Sequence, residues 1–239
     1  MKLQSIWRDL QEKVVAIQYG KKMDNGGKKQ QLIVIILWFY LSEMNNKIIL
    51  ITGGVGSIGS ELVRQLCVGN KVIIFDQDES GVNNLTEELK QAGHDVEGVI
   101  GDIRDKETVH NLFVTYQPHI VINAAALKHV TLSQFFPKEY VMTNIIGHLN
   151  VIEECKKCSN FEKCIYISTD KAVATFKNVM GATKMCSETI HRSMGEGYTA
   201  VRFGNVLESR GSLLEIWKRQ FKDGQPLTIT DLRMKRYMM

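Results

Sequence analysis

The chain has 239 residues, of which 44% are hydrophobic and 23% are charged. This balance is ordinary for a globular protein, and the length allows one main domain with a substantial core. The formal net charge of +4 is modest and much of the excess lies in Lys21, Lys22, Lys28 and Lys29, so the charge pattern does not indicate a nucleic-acid partner.

The first 46 residues are predicted to form a helix, a linker and an apolar segment. Apolar residues recur at helical spacing over residues 3–18, which predicts an amphipathic helix. Residues 21–31 are basic and glycine-containing, as is typical of a flexible linker. The apolar run 32–41 is too short to span a membrane as a helix and has no signal-peptide cleavage site. We expect a buried strand or helix there, with peripheral membrane contact as the alternative.

From residue 47 onward, apolar runs typical of strands alternate with segments of helical periodicity. The predicted strands are 47–52, 71–76, 96–100, 119–123, 163–168 and 198–202. The predicted helices include 57–68, 80–92, 105–116, 138–157 and 179–195. Such alternation is typical of parallel strands joined by right-handed crossovers. The sequence therefore predicts an α/β fold with a Rossmann-like, doubly wound parallel sheet.

A glycine-rich turn, residues 52–59, joins the first predicted strand to the first predicted helix. Gly53, Gly56 and Gly59 suit a tight turn, a close backbone approach to phosphate and close packing of helix on strand. Amide groups at the helix start, at Ser57 and Ile58, would face an anion with help from the helix dipole. The pattern predicts a site for the pyrophosphate of a dinucleotide.

Asp76 ends the second predicted strand, about where an acid that binds the adenosine ribose should lie. Its carboxylate can accept two hydrogen bonds from that ribose, and its charge would repel a 2′-phosphate. We therefore expect NAD or NADP as the cofactor, with NAD favoured. The alternative is a solvated turn acid beside Gln77 and Asp78.

Ligands of a doubly wound sheet collect beyond the carboxyl ends of its strands. Those ends are polar or small here, and they are expected to converge on one crevice. Besides the glycine turn and Asp76, they comprise Asp102-Ile103-Arg104, Asn123-Ala124-Ala125-Ala126 and Ser168-Thr169-Asp170-Lys171. The alanines would let a cofactor lie flat against the sheet, although alone they are good packing residues.

Five cysteines, an odd number, indicate reduced thiols of a cytoplasmic protein rather than a disulfide framework. Cys155, Cys158 and Cys164 form a CxxC followed by a third sulfur, which could begin a zinc site. No second CxxC or pair of histidines follows nearby. We therefore expect no metal, and interpret these cysteines as the end of a helix and the next strand.

Seven motifs occur in a fixed order: TGGVGSIGSEL, GDIRD, NAAALKHV, TNIIGHLNV, STDKAV, MGATK and RFGNVLESRGS. In this order they resemble the extended short-chain dehydrogenase/reductases, and within them the polysaccharide-biosynthesis (CapD-type) UDP-N-acetylglucosamine 4,6-dehydratases. The resemblance covers residues 47–239. It implies a cofactor domain over 47–202, the start of a substrate-binding lobe over 203–239, a UDP-sugar substrate and a homo-oligomer.

The chemistry that the resemblance implies is a lyase reaction in which the cofactor is regenerated. Hydride passes from sugar C4 to the nicotinamide, water is eliminated across C5 and C6, and the hydride returns to C6, in many members with inversion of C5. By resemblance, Thr169 would bind the C4 oxygen, Asp170 would protonate the leaving C6 hydroxyl and Lys171 would take the C5 proton.

The resemblance also assigns binding residues. Lys184 would bind the nicotinamide ribose, and Asp102 and Ile103 belong to the expected cofactor site. Lys128 would face the substrate pocket, with an exposed loop lysine as the alternative. The residues expected to hold the nucleotide-sugar are Asn205, Ser209 and Arg210, where a guanidinium suits a diphosphate.

Met180 stands four residues before Lys184, where most of the larger superfamily have a tyrosine that takes the C4 hydroxyl proton. A thioether cannot accept that proton. Some members of the dehydratase subgroup resemble this chain in having methionine there, so the change does not imply inactivity. The base role would move elsewhere, to Lys171 or to water.

Two alternatives to the dehydratase stay open. A nucleotide-sugar 4-epimerase on the same scaffold would normally carry a tyrosine at position 180 and lack the acid–lysine pair at 170 and 171. The chain stops at Met239, where relatives continue into the rest of the substrate lobe. A truncated, catalytically inactive NAD(P)-binding paralogue, pairing with a partner through its N-terminal helix, is therefore the non-enzymatic alternative.

Overall fold

The computed structural model of this chain describes residues 45–173, 178–207, 209, 211–229, 231–233 and 238. The predicted N-terminal helix, linker and apolar segment lie outside these residues, as do Arg210 and the loop 174–177. In the part of the chain that is described, each helix is too short or too polar to cross a membrane.

Six strands form one sheet in which every neighbouring pair is parallel. They lie in the order β3-β2-β1-β4-β5-β6. The direction of the chain across the sheet therefore reverses between β1 and β4, which is the switch point where ligands of doubly wound sheets bind. The strands are β1 (Ile48–Thr52), β2 (Lys71–Asp76), β3 (Val96–Ile100), β4 (Ile120–Asn123), β5 (Lys163–Thr169) and β6 (Tyr198–Phe203).

Helices connect the strands, as the alternating pattern predicts, and the doubly wound fold is confirmed. They are α1 (Ser57–Leu66), α2 (Glu79–Gln91), α3 (Lys106–Tyr116), α4 (Val130–Phe135), α5 (Pro137–Tyr140), a π-helical segment (Val141–Gly147), α6 (His148–Lys157), a 3-10 turn (Asp170–Ala172), α7 (Val179–Ser193) and α8 (Leu213–Lys222). Two of these helices, α4 and α8, were not predicted from the sequence. Six residues in α4 are too few to show a helical period, whereas the apolar spacing of α8 could have revealed it.

The core is built on the central strands. Ile49–Ile51 of β1 and Val72–Ile74 of β2 are completely buried, because helices cover both faces of a parallel sheet. On one face, Leu50 and Ile73 pack in a cluster with Phe113 of α3 and other helix side chains. This packing fixes the carboxyl ends of the strands, where the site lies.

Side chains cap three of the helices. Asp78 accepts a hydrogen bond from Gly81 N (3.1 Å), Asp105 from Glu107 N (3.0 Å) and Asn178 from Gly181 N (2.7 Å). Such a side chain satisfies an amide of the first turn that has no partner within its helix. The Asn178 cap orients α7, which carries two of the predicted site residues.

We expect Asn178→Ala to lower the free energy of unfolding by about 1 kcal/mol, because the amide of Gly181 loses its acceptor. Asn178→Ser is the matched control, since serine is an equally good cap and should keep most of the stability. Urea denaturation of the two variants measures the difference. Equal unfolding midpoints for the alanine and serine variants would contradict a capping role.

Candidate functional site: a cleft at the carboxyl ends of the strands

The backbone of the glycine turn packs directly against the backbone at the end of β4. Gly53 adopts a φ of 67°, and a Cβ atom placed on it would lie 2.6 Å from Ala125 N. A Cβ on Gly59 would lie 2.0 Å from Gly53 O, so α1 packs directly on the turn. Contacts this short leave no room for a side chain at either position.

The start of α1 faces this turn without a side-chain cap from its own N-cap residue. That residue is Gly56, which has no side chain to accept a hydrogen bond from the first helical turn. In α2, α3 and α7, a carboxylate or amide oxygen takes this role. An anion placed at the start of α1 would take it here and would be favoured by the helix dipole.

Asp76 borders the same turn. Its Oδ2 accepts a hydrogen bond from Val55 N and its Oδ1 accepts one from Asp78 N, both at 3.2 Å. The side chain is half-buried rather than solvated in a turn. A carboxylate has about four acceptor positions, so Asp76 can hold the glycine turn and still accept hydrogen bonds from a ligand.

A cavity of about 660 Å³ opens at the carboxyl ends of the strands. It is large enough for a ligand of considerable size. The predicted site residues in its wall are Gly53, Gly56, Ser57, Ile58, Gly59, Ala124, Ala126, Lys128, Thr169, Lys171, Met180, Lys184, Asn205 and Ser209. The fold thus brings together residues that lie more than 150 positions apart in the sequence.

Three other predicted site residues are, like Asp76, not part of this wall. Asp102 accepts hydrogen bonds from Arg104 N (2.9 Å) and from the Arg104 side chain (2.6 Å) in the turn after β3. Ile103 is buried, and its carbonyl accepts a hydrogen bond from Asn150 Nδ2 at 2.9 Å. Ala125 lies under Gly53. The cofactor roles of these three residues stay predictions.

The end of β5 carries a compact polar group on the 3-10 turn. Thr169 Oγ1 donates to Asp170 Oδ1 (3.1 Å) and accepts from Lys171 N (3.3 Å). Lys171 Nζ donates to Asp170 Oδ1 (3.2 Å) and to Asn205 Oδ1 (2.9 Å). Asp170 itself is not part of the cavity wall, but its ion pair with Lys171 places its carboxylate next to that wall.

Lys184 of α7 is buried, although its side chain lines the cavity. Its Nζ donates to Ile167 O (2.7 Å) and lies 4.6 Å from the centre of the Tyr166 ring. Burial lowers the pKa of Lys184 to about 7, against an opposing attraction from Glu188. An amine with a pKa near neutrality can both give and take a proton at pH 7.

Met180 lies one turn before Lys184 and is buried in the same wall. Its thioether offers no acceptor for a hydroxyl proton, as the sequence indicates. Lys128 also lines the cavity and is exposed. Ser209 lines the cavity too, and its Oγ donates to Val206 O at 3.0 Å.

Two buried polar groups behind the cavity were missed by the sequence analysis. In the first, Thr52 Oγ1 donates a hydrogen bond to Asn123 Oδ1 at 2.7 Å. Asn123 Nδ2 is hydrogen-bonded to His148 Nδ1, also at 2.7 Å. Burial, with the positive charges of His191 and Lys184, lowers the pKa of His148 well below its usual range. A neutral His148 therefore joins the ends of β1 and β4 to α6.

The second group centres on Glu188, whose carboxylate binds Ser168 and Arg202. The spacing of Lys184 and Glu188 by four residues on a predicted helix was a signal for it, because residues so spaced are neighbours on one helix face.

The two cysteines of the CxxC motif and Cys164 are buried free thiols. Burial and the neighbouring Cys164 raise the pKa of Cys155 well above its usual range, and Cys158 Sγ donates to Pro118 O at 3.4 Å. Among the described residues, no three His, Cys, Asp or Glu side chains are arranged to hold a metal ion. These thiols lie, as predicted, at the end of a helix and in the next strand.

The strand order, the glycine turn at the switch point and the lysine of α7 define a class, the Rossmann-type proteins of the short-chain dehydrogenase/reductase kind. Within it, the chain belongs to the polysaccharide biosynthesis protein family, whose model matches residues 49–239. The recognition made from the sequence motifs is therefore confirmed.

Two curated relatives show where in this family the chain lies. It is 41% identical over 207 residues to the capsular polysaccharide biosynthesis protein CapD of Staphylococcus aureus, covering 82% of this chain and 34% of that protein. It is 36% identical over 204 residues to a UDP-N-acetylglucosamine 4,6-dehydratase (inverting) of Campylobacter jejuni, covering 81% of this chain and 59% of that protein. The chain thus spans between about a third and three fifths of these relatives.

Solved structures agree with the fold. Pen from Bacillus thuringiensis superposes with a TM-score of 0.74 at 34% identity, covering 82% of this chain and 62% of that chain. The UDP-glucose 4-epimerase of Thermus thermophilus, solved in complex with NAD, has a TM-score of 0.68 at 25% identity and covers 80% and 70% of the two chains. Relatives of this chain therefore include nucleotide-sugar dehydratases and epimerases, and NAD is bound by a protein of this fold.

Proposed function

We propose that this chain carries the cofactor-binding and catalytic half of a nucleotide-sugar 4,6-dehydratase that acts on UDP-N-acetylglucosamine with inversion of C5 in polysaccharide biosynthesis. The observation that carries the proposal is the group formed by Thr169, Asp170 and Lys171 beside the cavity that Lys184 lines. It combines an acid, an amine and a hydroxyl, which an elimination next to a ketone requires.

The residues present fit a nicotinamide dinucleotide. Gly53, Gly59 and the start of α1 would hold its pyrophosphate, Asp76 its adenosine ribose and Lys184 its nicotinamide ribose. Because the Asp76 charge opposes a 2′-phosphate, we favour NAD over NADP. When bound, such a dinucleotide would supply the hydride acceptor for C4 and the hydride donor for C6.

Asp170 and Lys171 would carry the elimination. A proton that moves from Lys171 Nζ to Asp170 Oδ1, across 3.2 Å, turns the ion pair into a neutral acid and a neutral amine. Lys171 Nζ can then take the C5 proton while Asp170 gives its proton to the departing C6 hydroxyl, which leaves as water. The two transfers restore the original ion pair, so the pair is ready for another turnover.

Thr169 would orient the C4 oxygen through its hydroxyl, and Asn205 would keep Lys171 in place through its Oδ1. The proton of the C4 hydroxyl needs a base, which Met180 cannot supply. Lys184 fits this role, because burial brings its pKa to about 7 and its side chain reaches the cavity. Lys128, Asn205, Ser209 and Arg210 are proposed to bind the nucleotide-sugar.

The proposal is tested by incubating the protein with NAD⁺ and UDP-N-acetylglucosamine in deuterated water. A dehydratase gives a 4-keto-6-deoxy product with deuterium at C5, seen by NMR and mass spectrometry. Recovery of unchanged sugar from a protein that binds NAD⁺ would support the inactive paralogue. A C4 epimer without loss of water would support the epimerase.

We expect Asp170→Asn to reduce product formation by on the order of a hundredfold or more, because the amide cannot protonate the C6 hydroxyl. NAD⁺ affinity should stay within about twofold, since the Asp170 carboxylate binds Thr169 and Lys171 and is assigned no contact with the dinucleotide. Glu139→Gln serves as a control, because this exposed carboxylate pairs with Arg104 away from the cavity. Full turnover by the Asp170 variant would remove this residue from the mechanism.

A further inference from the structure

Glu188 of α7 is a buried carboxylate with an unusually complete set of partners. Its Oε2 accepts hydrogen bonds from Ser168 Oγ (2.6 Å) and Arg202 Nε (2.9 Å). Its Oε1 lies 2.7 Å from Arg202 Nη2, so the guanidinium binds both carboxylate oxygens. Burial alone would raise the pKa of Glu188, but the hydrogen bonds from Arg202 and Ser168 outweigh it and lower the pKa. Glu188 is therefore ionised at neutral pH.

The three joined residues each adjoin a part of the proposed catalytic site. Ser168 immediately precedes Thr169, and Arg202, its register partner on β6, lies three residues before Asn205. Glu188 lies one helical turn after Lys184. The Glu188 carboxylate thus joins α7, which carries Lys184, to β5 and β6. These two strands lead to Lys171 and Asn205, which contact each other.

We propose that Glu188 is a positioning residue of this site, whose buried carboxylate holds β5, β6 and α7 together and balances the charge of Lys184. The proposal rests on the proposed function in that it takes Lys184 to belong to the catalytic site. Its physical content, a charge coupling between Glu188 and Lys184, can be measured without a sugar or a cofactor.

The charges around Lys184 give this coupling a definite sign. On its own helix, Glu188 is the acid one turn away. From the other elements, the Tyr166 ring of β5 and the neutral His148 of α6 face it. Glu188 in turn is hydrogen-bonded to Ser168 and Arg202. Its charge also acts on His191 and Arg192. Removing the Glu188 charge should therefore make Lys184 lose its proton more easily, and removing the Arg202 charge should have the opposite effect.

The test is competitive acetylation of the full chain with acetic anhydride as a function of pH, followed by peptide mass spectrometry at Lys184. Only the neutral amine reacts, so the labelling curve reports its titration. For Glu188→Gln we expect the curve to move to lower pH, with labelling at pH 6 raised on the order of fivefold. For Arg202→Gln we expect the curve to move to higher pH. Opposite shifts are a signature that simple loosening of the structure cannot produce.

Glu154→Gln is the matched control. Glu154 is also a buried helical carboxylate, but its partners are Lys157 (2.7 Å) and His110 (3.0 Å). Its loss should cost stability without moving the Lys184 curve. If Glu188→Gln does not fold, the shift of the Lys184 labelling curve to higher pH in Arg202→Gln tests the coupling by itself.

The proposal is overturned if folded Glu188→Gln labels like the unaltered protein, if Arg202→Gln fails to shift upward, or if Glu154→Gln shifts the curve as much as Glu188→Gln. Because the assay contains no UDP-sugar, a protein without dehydratase activity can still show the coupling. If the protein is an active dehydratase but Glu188→Gln leaves the Lys184 labelling curve unchanged, the proposed function stands and this inference is wrong.

Discussion

Gly59→Ala is expected to lower the affinity for NAD⁺ by on the order of a hundredfold or more, the largest binding effect that we foresee. The added Cβ would lie 2.0 Å from Gly53 O and 2.9 Å from Gly53 C, which are backbone atoms that cannot rotate away. Either α1 or the glycine turn must move, and the amides at the helix start then no longer meet the pyrophosphate. Isothermal titration calorimetry measures the change.

Gly93→Ala is the matched control for that variant. Gly93 also has a positive φ, 83°, so alanine is strained there, but no atom lies within 4 Å of the added Cβ. We expect it to lose about 1 kcal/mol of stability with its NAD⁺ affinity unchanged. If Gly59→Ala bound NAD⁺ as tightly as Gly93→Ala, the glycine turn could not be the pyrophosphate site.

Lys184→Met is expected to stabilise the protein at pH 6 while removing the proposed dehydratase activity. Burial lowers the pKa of Lys184 from 10.5 in the unfolded chain to about 7. At pH 6 the amine is still protonated, so folding moves a positive charge from water into the protein interior. This lowering of the pKa corresponds to ~5 kcal/mol, from which about 2 kcal/mol is lost when Ile167 O loses its donor. A net gain of about 3 kcal/mol remains.

The pH dependence of stability gives this prediction its sign. Between pH 7 and 10.5 the unfolded chain binds the Lys184 proton and the folded protein does not, so stability from this residue rises with pH. We expect the unaltered protein to gain stability relative to Lys184→Met between pH 6 and pH 9 in urea denaturation. Lys106→Met, at an exposed lysine, is the control and should show no such difference. If the free energy of unfolding changed with pH in the same way in all three proteins, folding would not bury a charge at Lys184.

Much of the fold could be predicted from the sequence because its signals are local. Buried strands such as β1 and β2 are continuous apolar runs, and the glycine turn between β1 and α1 has a spacing that few other structures require. The predicted strands agree with the observed ones to within one residue at each end.

The relations inside the site were harder to predict because they depend on tertiary contacts. Asp170 and Lys171 are adjacent in sequence, but Asn205 joins them only through the pairing of β5 with β6. The Glu188–Arg202 pair likewise needs α7 to pack on β6. The spacing of Lys184 and Glu188 places both on one helix face, but no periodicity reports which buried polar side chains meet. The binding of Glu188 to Ser168 and Arg202, and the contact of His148 with Asn123, therefore became visible only in the structure.

The central claim is that the cleft beyond β1 and β4 holds the pyrophosphate of a nicotinamide dinucleotide. Hydrogen–deuterium exchange with and without millimolar NAD⁺ or NADP⁺ tests it most directly, because it reports where the ligand binds. We expect slower exchange in the glycine turn, residues 52–60, and at the end of β4, residues 123–128. Unchanged exchange in both segments, or protection confined to the opposite end of the strands around Gly69 and Gly93, would contradict it.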